Sequence, residues 1–206
     1  MDDAVIHLRI CTAIRRRAAG ITNDTPQNRG PVQSVHVDQT TASAISRVRR
    51  HLPPDDVEGL LQGRFQIVNL WRPIHHAALD WPLAVCDYYS VDRNRDLVPH
   101  TLKFPDRDGE TYGVQWNENH KWKYFRGLTP EEGLLIKWCV CVETRTLVHS
   151  THLLTFIDGV FFASFDSVQD ESVAILTPHT AFEDPTTPPD ALRRESIEIR
   201  ALVFYD

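Results

Sequence analysis

The chain has 206 residues, enough for one domain with a sizeable core and too few for two comfortable ones. Apolar residues make up 42% and charged residues 24%, ordinary for a globular protein, while a formal net charge of -6 argues against nucleic acid as a partner. No apolar run reaches the roughly 18 residues of a membrane span, and the start Met1-Asp-Asp-Ala lacks the regions of a signal peptide, so no membrane is implied and the expected compartment is the cytoplasm.

In chain order, residues 4–14 alternate well enough for a strand, and residues 18–31, polar with Gly, Asn and Pro, read as a loop. The basic cluster Arg15-Arg16-Arg17, with Arg47, Arg49 and Arg50 further on, is explained more cheaply by a solvated face or chain end than by a phosphate partner. Residues 34–38 form a short strand whose exit is a His-x-Asp pair. Residues 41–52 predict a helix, because Ala44, Ile45, Val48 and Leu52 recur at helical spacing and Pro53-Pro54 stops it; a second short helix covers 55–61.

Residues 64–71 read as a buried strand ended by Pro73, with further strands at 83–89 and 97–104. Residues 112–116 and 121–125 predict a hairpin around Asn117-Glu-Asn119. Thr129-Pro-Glu-Glu132 has the capping-box form and starts at most one helical turn before the apolar run 134–138. Strands at 173–176 and 196–205 complete a mainly β chain with a few helices, a single domain over 1–206 built as a sandwich or barrel. Residues 138–164 break the rhythm: they are uniformly apolar without a clear period of two. The four cysteines at 11, 86, 139 and 141 lack metal-type spacing and read as reduced thiols.

The candidate chemistry lies in three separated places. Side chains two apart on a strand share a face, so His36 and Asp38 can bind one ion together, and His179 on a facing strand would close a triangle on one side of it. Two imidazoles and one carboxylate leave open positions for a bidentate 2-oxo acid and for oxygen, the logic of an iron(II) oxygenase. The far carboxylate of 2-oxoglutarate needs a cation in fork geometry, and Arg194 with Ser196 two positions on supplies a guanidinium and a hydroxyl. His-x-Asp alone is a low-information pair: with 10 His and 18 Asp in 206 residues, about one is expected by chance. Order and spacing give the combination its weight. His75-His76 reads as structural or surface, since adjacent strand residues point to opposite faces. Ser167, Ser172 and Ser196 lack a Gly-x-Ser-x-Gly elbow, and no glycine-rich loop follows a strand, so a serine hydrolase and a dinucleotide fold have no support.

Longer stretches carry a family resemblance: Phe65-Gln-Ile-Val-Asn-Leu-Trp-Arg-Pro-Ile74, Asp80-Trp-Pro-Leu-Ala-Val-Cys-Asp87, Asn119-His-Lys-Trp-Lys-Tyr-Phe125, Thr177-Pro-His-Thr-Ala-Phe-Glu-Asp-Pro185 and Arg194-Glu-Ser-Ile-Glu-Ile-Arg-Ala-Leu-Val-Phe-Tyr205. Together they resemble the AsaB-like hydroxylase/desaturase family of fungi, which includes gibberellin desaturase. The similarity runs from about Thr12 onward, residues 138–164 excepted. It implies a double-stranded β-helix (jelly-roll, cupin-like) and an iron(II), 2-oxoglutarate-dependent oxidase, a hydroxylase or desaturase acting on a small secondary metabolite. Carried over by position, His36, Asp38 and His179 match the iron ligands, Arg194 the 2-oxoglutarate arginine, and Ser196 its helper. Trp71 and Arg72 match a motif open to two readings, core packing or cosubstrate contact. Family members have a longer N-terminal region, so the fold is expected to be incomplete there. They also pass almost directly from a segment like 134–137 to one like 165–170, so residues 138–164 read as a translated intron or an unusual insertion. The alternative function is a truncated, catalytically inactive relative that retains the metal ligands.

Overall fold

The computed structural model describes residues 4–5, 11–16, 29–136, 165–168 and 174–205, so the segment 138–164 and most of the loop 18–31 lie outside the described residues. The strands are β1 (Ala4–Val5), β2 (Cys11–Arg16), β3 (His36–Val37), β4 (Phe65–Pro73), β5 (Leu83–Cys86), β6 (Leu97–Lys103), β7 (Asp108–Val114), β8 (Trp122–Tyr124), β9 (Leu134–Ile136), β10 (Phe165–Asp166), β11 (His179–Ala181) and β12 (Glu195–Tyr205). Helices α1 (Thr41–His51) and α2 (Pro54–Leu60) stand where helical spacing put them, with Leu52 as the C-cap of the first.

All strand pairs within the two sheets are antiparallel. In sheet I, β12 lies between β4 and the β1/β2 edge, and β9 and β10 pair with the far side of β4. Sheet II runs β6-β7-β3-β11-β5-β8. The two form the expected jelly-roll. They meet through Trp71 and Leu134 of sheet I against Leu83 and Val85 of sheet II.

The long strands of sheet I decide what faces the interior. Along the β12–β4 ladder, Phe204 opposes Phe65, Leu202 opposes Ile67, Arg200 opposes Asn69, Glu198 opposes Trp71 and Ser196 opposes Pro73. These alternate positions share one face. One end of that face is apolar: Phe65, Ile67, Leu202 and Phe204 pack with Ala44 and Val48 of α1, all within 2% of full burial. Its middle is polar and charged. α1 starts at Thr40, whose hydroxyl accepts the Ser43 N–H at 3.2 Å and donates to Glu110 at 2.5 Å, tying the helix to β7. Thr40→Ala is expected to lower stability by about 1 kcal/mol, read as a shift in the urea midpoint.

Three sequence expectations need correction. The hairpin over 112–125 does not form: β7 pairs with β6 and β3, whereas β8 pairs with β5, three strands away from β3's other neighbour β7 in the sheet order. The turn residues are drawn elsewhere, because Asn117 Nδ2 and His120 Nε2 both donate to the buried Asp96 carboxylate, at 3.1 and 2.9 Å. The strand at 83–89 stops at Cys86, where the Asp87 side chain accepts the Tyr89 N–H at 3.1 Å and caps a 3-10 turn, Tyr88–Ser90. Residues 174–176 are buried but not a strand; they pack as Ala174, Ile175 and Leu176 around Val37. The capping box holds in part: the Thr129 N–H donates to Glu132 Oε2 at 2.8 Å, closing a single turn before β9.

Candidate metal centre

The pleat of β3 sets up the site. Val37 is fully buried on one face of sheet II, against Tyr88, Ile175 and Leu176. That anchoring turns its neighbours His36 and Asp38 to the opposite face, toward sheet I. His179 of β11 stands directly across from His36 in the ladder, so the second imidazole comes from the adjacent strand of the same sheet, not from a facing strand. The two rings lie 4.4 Å apart, tilted by 54°.

One donor atom from each of His36, Asp38 and His179 lies within 4.8 Å of the others. Asp38 Oδ1 is 3.9 Å from His36 Nε2, and Oδ2 is 3.8 Å from His179 Nε2. Each ring donates its Nδ1–H to the carbonyl two residues earlier, His36 to Ser34 at 2.8 Å and His179 to Thr177 at 2.9 Å. A carbonyl only accepts, so both Nδ1 atoms carry the proton and both Nε2 lone pairs point into the gap. That is the tautomer a metal ligand needs, held by the kind of outer contact that orients ligating histidines.

Electrostatics agree. Burial lowers the His36 pKa to about 4, with His179 adding to the effect, so the ring is neutral at physiological pH. Burial alone would raise the Asp38 pKa, but Arg200, the two imidazoles and Asn69 overcome it and hold the carboxyl well below its usual range. A neutral His36 and an ionised Asp38 are the forms that bind a cation. The folded His36 pKa lies below its unfolded value of about 6.5. Stability is therefore complete above that value and falls as pH drops through the window from about 6.5 toward 4, by at most about 3 kcal/mol. Urea denaturation of metal-free protein at pH 7 and pH 5 checks this, and His36→Gln should flatten the dependence.

Sheet I closes the site from the other side. Arg200 Nη2 is 3.0 Å from Asp38 Oδ1, and Asn69 Nδ2 donates to Asp38 Oδ2 at 2.6 Å. Arg200 also donates from Nε to Asn69 Oδ1 at 2.9 Å and pairs with Glu198. Asn69 Nδ2 reaches Glu198 Oε1 at 3.1 Å. None of Asn69, Glu198 and Arg200 was singled out from sequence. The signal that could have found them is the period of β12: Arg194, Ser196, Glu198 and Arg200 are polar at every second place, on the face that continues as buried Leu202 and Phe204.

A narrow cleft joins the three candidate ligands to Arg15, Trp71 and Arg194. Arg194 is only 3% exposed. Its Nε donates to Ser196 Oγ at 3.2 Å, and its Nη1 to the Trp81 carbonyl at 2.5 Å; its guanidinium carbon lies 5.2 Å from the centre of the Trp71 ring. Its backbone N–H donates to Asp80 Oδ2 at 3.0 Å. Among the described residues Nη2 has no partner. Burial, with Arg15 second, lowers the Arg194 pKa to about 9, which leaves it charged at neutral pH. The Asp80-Trp81-Pro82 stretch is thus the clamp on Arg194, and Trp81 holds a φ of 51°, unusual for so bulky a residue. Trp71 packs in the apolar cluster and lines the cleft beside Arg194. Arg72 turns outward and donates to the Pro130 carbonyl at 3.1 Å. Arg15 departs from the surface reading of the basic cluster. It opposes Ser196 across the ladder and lines the cleft, while Arg16 is exposed and pairs with Glu195 at 3.1 Å. His75 is exposed and bonded to Glu195, the surface role expected of it.

A family model described as "Oxidoreductase/YMDC permease-like domain" matches residues 10–153 and 154–204. Aspirochlorine biosynthesis protein N of Aspergillus oryzae is 34% identical over 82% of this chain and 59% of its own length. Hydroxylase/desaturase asaB of Aspergillus flavus is 31% identical over 83% of this chain and 70% of its own. Among solved structures, the iron and alpha-ketoglutarate-dependent endoperoxidase NvfI superposes with a TM-score of 0.72 at 27% identity, covering 98% of this chain and 62% of that one. The chain thus spans about six tenths of the length of the first of these relatives and of the solved structure.

Proposed function

The chain belongs to the AsaB-like hydroxylase/desaturase family, and we propose that it is an iron(II)- and 2-oxoglutarate-dependent oxygenase of a small secondary metabolite. The observation that carries this reading is the convergence of two imidazoles and one carboxylate, both rings presenting Nε2. His36, Asp38 and His179 would hold the iron, and nitrogen with carboxylate oxygen suits it, with no thiolate among the described residues of the cluster. When bound, iron(II) supplies the redox chemistry that couples decarboxylation of 2-oxoglutarate to oxidation of a C–H bond.

The chain's own residues supply position. Arg194 offers the distal carboxylate of 2-oxoglutarate its unpartnered Nη2 edge. Ser196, fully buried behind the cleft wall, accepts from Arg194 Nε and so helps to fix the guanidinium that would meet the anion. Trp71 covers the guanidinium face, and Leu83 and Ala181 make the cleft wall apolar, which keeps water from competing. Hydroxylation and desaturation use the same residues to this point.

No helix among the described residues is long and apolar enough to cross a membrane. The proposal places the enzyme in the cytoplasm, as one domain acting on a small molecule. Residues 138–164 are an insertion or retained intron within it, a reading supported by their uniformly apolar sequence without a clear period of two. Sequencing of the mature message is expected to yield reads joining the Lys137 codon to the Phe165 codon; reads only through the whole segment would leave the insertion.

The functional test is succinate release from 2-oxoglutarate with iron(II) added anaerobically before oxygen. Turnover stimulated by a candidate metabolite supports the proposal. Tight iron binding without turnover under any substrate favours an inactive relative.

A further inference from the structure

The Asp38 carboxylate is held from the opposite sheet. Each oxygen accepts a bond from sheet I, Oδ1 from Arg200 at 3.0 Å and Oδ2 from Asn69 at 2.6 Å. The donors are themselves fixed. An arginine has no acceptor, so the Asn69 amide oxygen must face Arg200 Nε and its NH2 must face the carboxylates. That NH2 bridges Asp38 and Glu198, and Arg200 bridges the same two acids. Removing any member leaves a buried charge or amide without its partner.

Charge balance adds to the case. Two carboxylates against one guanidinium leave the group with one excess negative charge, in a place where both histidines are held with Nε2 facing in. Arg200 lowers the cost of burying Asp38 but also withdraws negative charge from it. The cluster therefore trades some electrostatic attraction for a carboxylate that cannot rotate.

We propose that Asn69, Arg200 and Glu198 form a positioning relay that holds Asp38 in the orientation in which it takes a divalent cation. Metal affinity is then set from sheet I as much as from β3 and β11. The relay rests on the metal reading above and extends it to residues outside the ligand set.

The test is calorimetric titration of the full chain with Co(II), together with the visible spectrum of the cobalt protein. Asn69→Ala and Arg200→Gln should each weaken Co(II) binding by roughly 10- to 100-fold and alter the spectrum, as outer contacts of metal ligands do elsewhere. Arg200→Lys, which keeps the charge but not the fork, should recover part of the loss. The double variant should lose little more than the worse single one, because both act on one carboxylate. Ile67→Val loosens the same strand without touching Asp38 and should leave affinity and spectrum unchanged. Single variants that stay folded and bind within threefold of the parent would overturn the relay alone, as would a loss of equal size in Ile67→Val. A parent chain that takes up no Co(II) would overturn the metal reading and the relay with it.

Discussion

Replacing His179 with alanine should leave a folded chain whose iron-dependent succinate release falls by roughly 10³-fold or more, since the metal's contribution amounts to several kcal/mol and each ~1.4 kcal/mol is tenfold. His179 is the better ligand to remove than His36 because its surroundings are least able to substitute for it. It is 6% exposed, sits in the middle of three adjacent strands with its backbone bonded on both sides, and its ring lies against that of His36. The imidazole lines the cleft and does not fill the apolar core, so its loss should cost the fold little. Thermal denaturation of metal-free parent and variant should differ by only a few degrees, roughly 1 kcal/mol in a domain of this size. The space left by the ring opens onto the cleft, and added imidazole should restore part of the iron binding. Parent-like succinate release from the variant would remove His179 from the site.

How much of this could be read from the chain follows a physical line. Elements decided by local pattern were legible: α1 by its 3.6-residue spacing and Pro53-Pro54, and β4 and β12 by length and β-branched content. The pairing of β7 and β8 was not, because Asn117 and His120 look like turn residues yet spend their polarity on Asp96, 21 and 24 positions away. The site divides the same way. His36 and Asp38 stood out because strand geometry alone puts them on one face. That His179 would lie opposite His36 depends on register between strands more than 140 residues apart, which no local signal encodes. Arg200 and Asn69 give no signal of their own, since one polar residue within a strand does not say which face it takes. The alternation of β12 carries the information, but only once Leu202 and Phe204 are known to face inward.

Arg194→Met should separate binding from stability, with effects of opposite sign. A guanidinium buried to 3% exposure costs the fold desolvation, and Arg15 in the same cleft adds repulsion. What it receives in return is one hydroxyl, one carbonyl, the face of Trp71 and the more distant charges of Asp80 and Glu198. The fixed bond from the backbone N–H to Asp80 does not depend on the side chain and survives the substitution. Methionine has similar length, fills the space beside Trp71 and needs no partner. The urea midpoint should therefore stay level or rise, by up to about 2 kcal/mol, as when buried charges elsewhere give way to apolar groups. The KM for 2-oxoglutarate should instead rise by roughly 30- to 1000-fold, the loss expected when one side of a buried, hydrogen-bonded charge pair is removed. Arg194→Lys should fall between, keeping the charge but losing the fork that reaches Ser196 and the ligand together. An arginine that served only the fold would give the reverse pattern: lower stability in the methionine variant and an unchanged KM. Trp81 argues the same way, because a left-handed backbone at a bulky residue costs about 1–3 kcal/mol and here its carbonyl is aimed at Arg194. Strain held around a buried cation with no carboxylate in its fork makes sense where the partner is an anion that arrives later.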